Sequence, residues 1–172
     1  LASHIGDPAV RHMGTIGGSI ANNDPAADYP AALLALGATI KTNTRSLSAE
    51  DFFTGLFETA LDEGEMVTAV EFTAPEKSGY SKFRNPASRY AMTGVFVCKH
   101  GDGSVGVGVA GAGSDGAFRS SEMETALAGD FTSAALETIS IDSSDLMSDM
   151  HASAEYRANL IKVMGKRAVQ QA

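Results

Sequence analysis

The sequence is poor in cysteine, tryptophan, basic residues and long apolar runs. With Cys98 as its single cysteine, the 172-residue chain can form no internal disulfide and no zinc cluster of several thiolates. We therefore expect a reducing, cytoplasmic setting. No apolar run approaches the roughly 18 residues that a membrane-spanning helix needs, so no transmembrane segment is predicted. Thirteen Lys and Arg against 21 Asp and Glu give a net charge of −8, which argues against a nucleic-acid surface, because such surfaces are normally basic.

The composition that remains is that of a globular protein. Hydrophobic residues make up 44% and charged residues 20% of the chain, which is not the balance of a disordered polypeptide. The length fits one ordinary domain or two small domains that share an interface. Because the sequence starts at Leu1, without Met or the pattern of a signal peptide, we expect a fragment of a longer protein.

Four elements are predicted in the first part of the chain. A helix is expected over residues 25–36, because Asp24 is a good N-cap and Pro25 suits the first helical position. The others are a strand over 38–44, a short helix opened by the capping-box pair Ser48 and Asp51, and a strand over 66–75 that ends at proline.

The turn PEKSG (75–79) is the predicted internal boundary, between a domain of residues 1–76 and a domain of residues 77–172. Beyond it we predict three strands, over 80–84, 92–99 and 104–112. HGDG (100–103) is a hairpin signal, so the last two strands should be antiparallel. Helices are expected over 120–129, 131–139 and 153–172, and strands followed by helices indicate an α+β fold.

The run GVGVAG (106–111) matches the dinucleotide pattern G-x-G-x-x-G, and we reject that interpretation. The pattern needs a helix that opens immediately after the glycines, whereas these glycines alternate with valines as in a strand. We expect a glycine-rich strand against which another segment packs closely.

No metal site and no catalytic residue is assigned. The four histidines show no metal-binding spacing, and Cys98 is expected to be a buried, inert thiol on a strand. No G-x-S-x-G element indicates a hydrolase.

The segment GTIGGSIANNDPAADYPAALLAL (14–36) has two interpretations. Gly17 and Gly18 can take positive φ and bring main-chain N–H groups close to a phosphate or a ring edge. Thr15 and Ser19 add hydroxyls, and a carboxylate at Asp28, near the first helical turn, can accept hydrogen bonds from sugar-like hydroxyls. A tight turn before a capped helix explains the same residues, and the residues alone leave both interpretations open.

A family resemblance favours the interpretation that this segment binds a ligand. TIGGSIANNDPAADYPA (15–31) closely resembles the second flavin-binding motif of the FAD subunits of molybdenum hydroxylases. These are the medium subunits of carbon monoxide dehydrogenase-type enzymes and the flavin domains of xanthine dehydrogenases. The resemblance covers nearly the whole chain, through HIGDPAVRHMG, EGEMVTAVEFTAP, YSKFRNPASRYAMTGV and HASAEYRANLIKVMGKRAV.

The resemblance implies a fold and a function. Residues 1–76 would be the C-terminal half of a bipartite, PCMH-type FAD-binding α/β domain, followed by a three-stranded antiparallel sheet with a helical bundle. The substrate would be oxidised at a molybdenum cofactor on a large partner subunit. Electrons would cross 2Fe-2S clusters on a small partner subunit, reach FAD on this chain and pass to an external acceptor such as NAD, a quinone or oxygen.

The resemblance also implies cofactor-binding residues. The loop around FAD would comprise Thr15, Ile16, Gly17, Gly18 and Ser19, and further contacts would come from the Asp28 carboxylate, the Tyr90 ring facing the isoalloxazine, the basic Lys82 and the Val67 backbone. The alternatives without cofactor contact are a strand-end packing residue at 90, a solvated lysine at 82 and a core valine at 67.

One departure from the family is large. Its first FAD motif, a glycine-rich loop with histidine and serine, is not found here, so this chain by itself is expected to bind FAD weakly or not at all. Two alternatives stay open: a module that docks onto partner subunits without flavin, and an FAD-dependent oxidoreductase of another branch of the fold. The substrate is not assigned.

Overall fold

Three antiparallel sheets and six α-helices make up the structure, a computed structural model that describes residues 1–172. The helices are α1 Pro8–Met13, α2 Ile16–Asn22, α3 Tyr29–Ala35, α4 Ala49–Phe52, α5 Ser121–Gly129 and α6 Ala154–Gln170. The strands are β1 Thr39–Thr42, β2 Ser46–Ser48, β3 Phe53–Gly55, β4 Glu58–Thr59, β5 Val67–Glu71, β6 Lys77–Arg84, β7 Ala91–Lys99, β8 Val105–Gly113 and β9 Gly116–Arg119. Two short 3₁₀ turns cover Ala2–His4 and Ser133–Leu136. None of the helices is both long and apolar enough to cross a membrane.

The first part of the chain folds around a small sheet of order β2-β1-β5. Ile40 of β1 is fully buried and packs with Ile20, Leu33 and Phe52, which come from three different helices. Helix α4 begins as predicted, because the Ser48 hydroxyl accepts a hydrogen bond from the Asp51 amide at 3.0 Å. This core fixes α2 against the small sheet.

The second part is a sheet of order β6-β7-β8-β9 that is covered on both faces. Side chains alternate between the two faces of a strand, and β7 uses this alternation fully. Val95 and Val97 join the core that includes Ile161 and Met164 of α6. Phe96 and Cys98 of the same strand pack instead against alanines of α3. The hairpin between β7 and β8 is antiparallel, as HGDG predicted.

The glycine-rich strand β8 explains how α3 reaches this sheet. A Cβ atom on Gly106 would lie 1.8 Å from the carbonyl oxygen of Ala35, and one on Gly108 would lie 1.8 Å from that of Ala31. Only glycine therefore permits this approach of helix to sheet. The prediction of a strand packed closely by another segment, and not a dinucleotide loop, is confirmed.

Helix α3 starts later than the sequence suggested. It begins at Tyr29 with Asp28 as N-cap residue, whereas Asp24 accepts a hydrogen bond from the Ala26 amide at 2.8 Å in a separate turn. The physical reason is Pro30, which fits the first turn of a helix starting here. In a helix that began at residue 25, Pro30 would remove an interior hydrogen bond.

Two further predictions need correction in the α+β fold, which is itself confirmed. The second sheet has four strands and not three, because Gly116, at φ 109°, turns the chain back so that β9 pairs with β8. Residues 131–139 form only the 3₁₀ turn, and Ile139 beyond it packs against the large core. The boundary between residues 76 and 77 stays a prediction.

Candidate functional site

A cleft of about 600 Å³ opens beside the segment that the sequence singled out. One wall comes from residues between Ala2 and Gly14, including Arg11, the one cationic side chain in the lining. The other walls come from the start of α2, the turn that carries Asp24 and Asp28, and Tyr90. Its size lies within the roughly 300–1,000 Å³ of small-molecule sites.

The segment from Thr15 to Ser19 is the beginning of helix α2 and not the open loop that was expected. Thr15 is the N-cap residue, and its hydroxyl accepts a hydrogen bond from the Gly18 amide at 3.0 Å. Neither Gly17 nor Gly18 has positive φ, so the predicted use of their conformational freedom is wrong. Thr15, Gly18 and Ser19 line the cleft, and the amides of Gly18 and Ser19 both donate to Thr15.

The glycine pair has little internal justification. A Cβ atom on Gly17 would make only ordinary contacts, at 3.8 Å from Val67, and one on Gly18 would meet the Thr15 hydroxyl at 3.1 Å. Glycine in a helix costs about 1 kcal/mol relative to alanine. Gly18 lines the cleft and Gly17 does not, so only at Gly18 would a side chain reduce the space open to a ligand.

Asp28 holds a buried carboxylate at the cleft wall. Its side chain is only 6% exposed and accepts hydrogen bonds from Lys82 Nζ, at 2.9 Å to Oδ1 and 3.0 Å to Oδ2. The Tyr80 hydroxyl also donates to Oδ1. These hydrogen bonds from one ammonium group and one phenol offset part of the cost of burying the carboxylate. The site therefore contains a fixed acceptor for donors of a ligand.

Two neighbouring side chains, Tyr80 and His4, complete the surroundings of the Asp28 carboxylate. Burial, the nearby negative charge of Asp28 and the hydrogen bond to it raise the pKa of Tyr80 above its ordinary value, so its hydroxyl remains a donor. The His4 ring packs edge-on against Tyr80, with centroids 5.7 Å apart. Burial, followed by the positive charges of Arg84 and Lys82, lowers the pKa of His4, so this imidazole adds no positive charge at neutral pH.

The structure brings together five of the nine residues predicted to bind the cofactor. Residues that line the cleft are Thr15, Gly18, Ser19, Asp28 and Tyr90. Residues that do not line it are Ile16, Gly17, Val67 and Lys82.

The residues outside the cleft lining lie close behind it. Lys82 is connected to the cleft only through its ion pair with Asp28. Its side chain is fully buried, which excludes the alternative that it is a solvated surface lysine. Val67 supports Gly17 from β5 and packs against the smaller core. Tyr90 is 49% exposed at the end of the β6–β7 loop, which leaves one face of the cleft aromatic.

Sequence reasoning missed Tyr80 and the N-terminal wall. Tyr80 and Lys82 are two residues apart on β6, so they share one face of the strand. Once Lys82 was chosen, that spacing could have indicated Tyr80 as its neighbour. Nothing in the sequence indicated that Arg11 would line the cleft, because its position depends on how the segment ahead of α2 folds back.

Comparison with known proteins agrees with this geometry. Residues 1–75 match the family described as FAD binding domain in molybdopterin dehydrogenase. Over 97% of its length the chain is 37% identical to the glyceraldehyde dehydrogenase medium chain of Sulfolobus acidocaldarius. It is 32% identical, over 98% of its length, to the nicotine 6-hydroxylase medium subunit of Paenarthrobacter nicotinovorans. The chain spans 64% of the length of each of these relatives.

A solved structure gives the same result. Reconstituted CO dehydrogenase from Oligotropha carboxidovorans contains a chain that matches with a TM-score of 0.82 at 31% identity, over 99% of this chain and 64% of that one. The fold and the matched residues thus place the first part of the chain in a class of FAD-binding domains. The chain belongs to the family of FAD-binding medium subunits of molybdenum hydroxylases.

Proposed function

We propose that this chain holds FAD in the cleft as the flavoprotein subunit of a molybdenum hydroxylase. Bound FAD would supply the redox chemistry that takes electrons from iron–sulfur clusters and delivers them to an external acceptor. The observation that carries the proposal is that the Thr15–Ser19 segment, the buried Asp28 carboxylate and the Tyr90 ring meet at one cleft. Tyr90 lies 62 positions after Asp28 in the sequence, and the fold brings it to the same cleft.

The residues present fit FAD on physical grounds. The cofactor has an anionic part, a hydroxyl-bearing part and an aromatic ring system, and the cleft has a counterpart for each. Arg11 offers a positive charge and Ser19 offers a hydroxyl, Asp28 offers an acceptor, and Tyr90 offers an exposed aromatic ring. Gly18 leaves the backbone of the cleft wall without a side chain.

Each side chain then has a task that does not involve bond making. Asp28 orients the cofactor by accepting a hydrogen bond from a hydroxyl, and Lys82 holds that carboxylate in place through two hydrogen bonds. Tyr90 covers an apolar surface and excludes water from it. No residue is assigned as general acid or base, because oxidation of the substrate would take place on a partner subunit.

The partners and the location are part of the proposal. We infer a large subunit with a molybdenum cofactor and a small subunit with 2Fe-2S clusters, as the membership in this family suggests. The substrate is not inferred, because the relatives are named for compounds as different as glyceraldehyde and nicotine. A cytoplasmic location is supported by the single, unpaired cysteine.

The test is the flavin content of the complex purified with its partner subunits. Wild-type protein is expected to carry FAD, seen in its visible absorbance, and Asp28→Asn is expected to lose most of it. Asp115→Asn is the matched control, because Asp115 is exposed on the β8–β9 turn, outside the cleft. A wild-type complex that assembles without flavin would refute the proposal and would favour the docking-module alternative.

A further inference from the structure

We propose that Tyr80 is a positioning residue that sets the orientation of the Asp28 carboxylate for the cofactor. The inference rests on the proposed function, since it names a residue that acts on the cofactor through another residue. Tyr80 itself does not line the cleft. Its hydroxyl reaches Asp28 across 52 positions of sequence, from β6 to the start of α3.

The two carboxylate oxygens of Asp28 have different partners. Oδ1 accepts from both Tyr80 and Lys82, whereas Oδ2 accepts from Lys82 alone, at 3.0 Å. An ionised carboxylate has about four acceptor sites, two on each oxygen. Oδ1 is therefore filled by the protein, and Oδ2 keeps one site that a hydroxyl of the cofactor can occupy.

Lys82 alone does not select this orientation. Its ammonium group lies nearly the same distance from both oxygens, 2.9 and 3.0 Å, and the last torsion of an aspartate is broad and roughly two-fold. Because the two oxygens are chemically equivalent, an ammonium group placed in this way fixes the rotation of the carboxylate about this torsion only weakly. The phenol donates to one oxygen only, so Tyr80 supplies the asymmetry.

The surrounding fold makes room for that hydroxyl. A Cβ atom on Gly94 of β7 would lie 2.4 Å from the Tyr80 oxygen, so any larger residue there would displace it. Tyr80 is itself 4% exposed, and the His4 ring packs against its edge. The position of the hydroxyl is therefore determined by its neighbours.

The stability of the fold does not account for the buried group formed by Asp28, Lys82 and Tyr80. Removing a carboxylate and an ammonium group from water costs free energy, and well-packed apolar side chains of similar volume are often as stabilising or more so. A buried Asp28–Lys82 pair with an added phenol is thus poorly explained as a core element. Its place at the wall of the cleft explains it, because there the carboxylate has a ligand to bind.

The experiment is a double-mutant cycle on FAD affinity in the purified complex, after removal of its flavin. Tyr80→Phe keeps the ring and removes only the donor. We expect it to weaken FAD binding about tenfold, the loss typical of one charge-assisted hydrogen bond. In the Asp28→Asn background the same change should have little further effect, a coupling that a merely structural role would not produce.

Controls separate this inference from the proposed function. Tyr156→Phe removes a hydroxyl from a half-exposed tyrosine outside the cleft and should leave the affinity unchanged. If Tyr80→Phe fails to fold, Gly94→Ala displaces the same hydroxyl. It should weaken FAD binding in the protein that keeps Asp28 and have little effect in the Asp28→Asn variant. Equal losses in both backgrounds, or no loss at all, would overturn the inference while leaving FAD binding intact. A wild-type complex that binds no FAD would overturn the proposed function itself.

Discussion

Gly108 on β8 lies directly beneath Ala31 on α3, so close that a Cβ atom on the glycine would be 1.8 Å from the alanine carbonyl oxygen. Gly106 has the same relationship to Ala35, one helical turn further along α3. A helix in contact with the backbone of a strand leaves no room for side chains between them. The two glycines thus set the spacing of α3 from the large sheet.

The first prediction is that Gly108→Ala destabilises the protein strongly. The new methyl group meets backbone atoms, which cannot move aside as the end of a flexible side chain can. We expect the free energy of unfolding to fall by about 3 kcal/mol, measured by urea denaturation. Gly129→Ala is the control, because nothing lies within 4 Å of a Cβ at that position. Comparable losses for both variants would contradict the packing of α3 described above.

The second prediction separates stability from binding at Gly17. Gly17→Ala meets no steric obstacle within the chain and improves the helix propensity of α2, so the free energy of unfolding should rise by about 0.5 kcal/mol. FAD content of the complex should not change, because Gly17 lies outside the cleft lining and a Cβ atom there would face Val67. Unfolding curves and flavin absorbance on the same preparation measure both effects. Loss of flavin from a stably folded Gly17→Ala variant would contradict the placement of Gly17 behind the cleft.

The third prediction concerns the ion pair between Asp149 and Arg157, at 2.8 Å. Burial raises the pKa of Asp149, but hydrogen bonds from the amides of His151 and Ala152 and from Arg157 outweigh this and leave the pKa below its ordinary value. Arg157 is 2% exposed and also donates to the Met92 and Gly111 carbonyls, so it joins α6 to the sheet.

The sign of the pH dependence follows from that depressed pKa. Asp149 stabilises the fold fully above the unfolded-state value of about 3.9, and the contribution is lost as pH falls below it. Asp149→Asn should remove this part of the acid dependence and lower stability at neutral pH by about 1–3 kcal/mol, since Arg157 loses its charged partner. Unfolding measured at several pH values between neutral and strongly acidic conditions provides the check. Parallel curves for the two proteins would mean that the pair does not contribute.

The fourth prediction concerns the thiol of Cys98. Burial raises its pKa to about 11, and the thiol donates to the Ala35 carbonyl at 3.3 Å. The folded state therefore favours the protonated thiol, and that contribution to stability is present below about pH 9 and is lost as pH rises towards about 11. At pH 8 a thiol reagent such as Ellman's should label Cys98 only after denaturation. Fast labelling of the native protein would show that the α3 face of the sheet opens.

Local signals were sufficient for much of the fold. The HGDG hairpin, the cap at Ser48 and the glycine–valine alternation of β8 are each determined by residues within a few positions of one another. These were predicted correctly because turn chemistry and side-chain alternation act at short range. The strand bounds shifted by only a few residues, as is usual where elements end.

Features that depend on distant contacts were not predictable in this way. The contact between Asp28 and Lys82 joins residues 54 positions apart, and β9 forms only because β8 has a free edge with which it can pair. For the site, the segment and the carboxylate were found from the sequence. Their joint support by Tyr80 was not, because the residue looks like an ordinary strand aromatic until the strand is placed beside α3.

Helix α3 has one further consequence. Its residues from Pro30 to Ala35 are all buried, with one face on the small core and the other on β8, while its N-cap residue Asp28 forms part of the cleft. A displacement of the large sheet therefore moves α3, and with it the Asp28 carboxylate at the cleft wall. Substitutions in the middle of β8 should therefore yield proteins that lack flavin, although these positions are far from the cleft in sequence. Such variants would be mistaken for variants of the binding site. Screens for cofactor loss in this family would then identify structural glycines alongside ligand contacts.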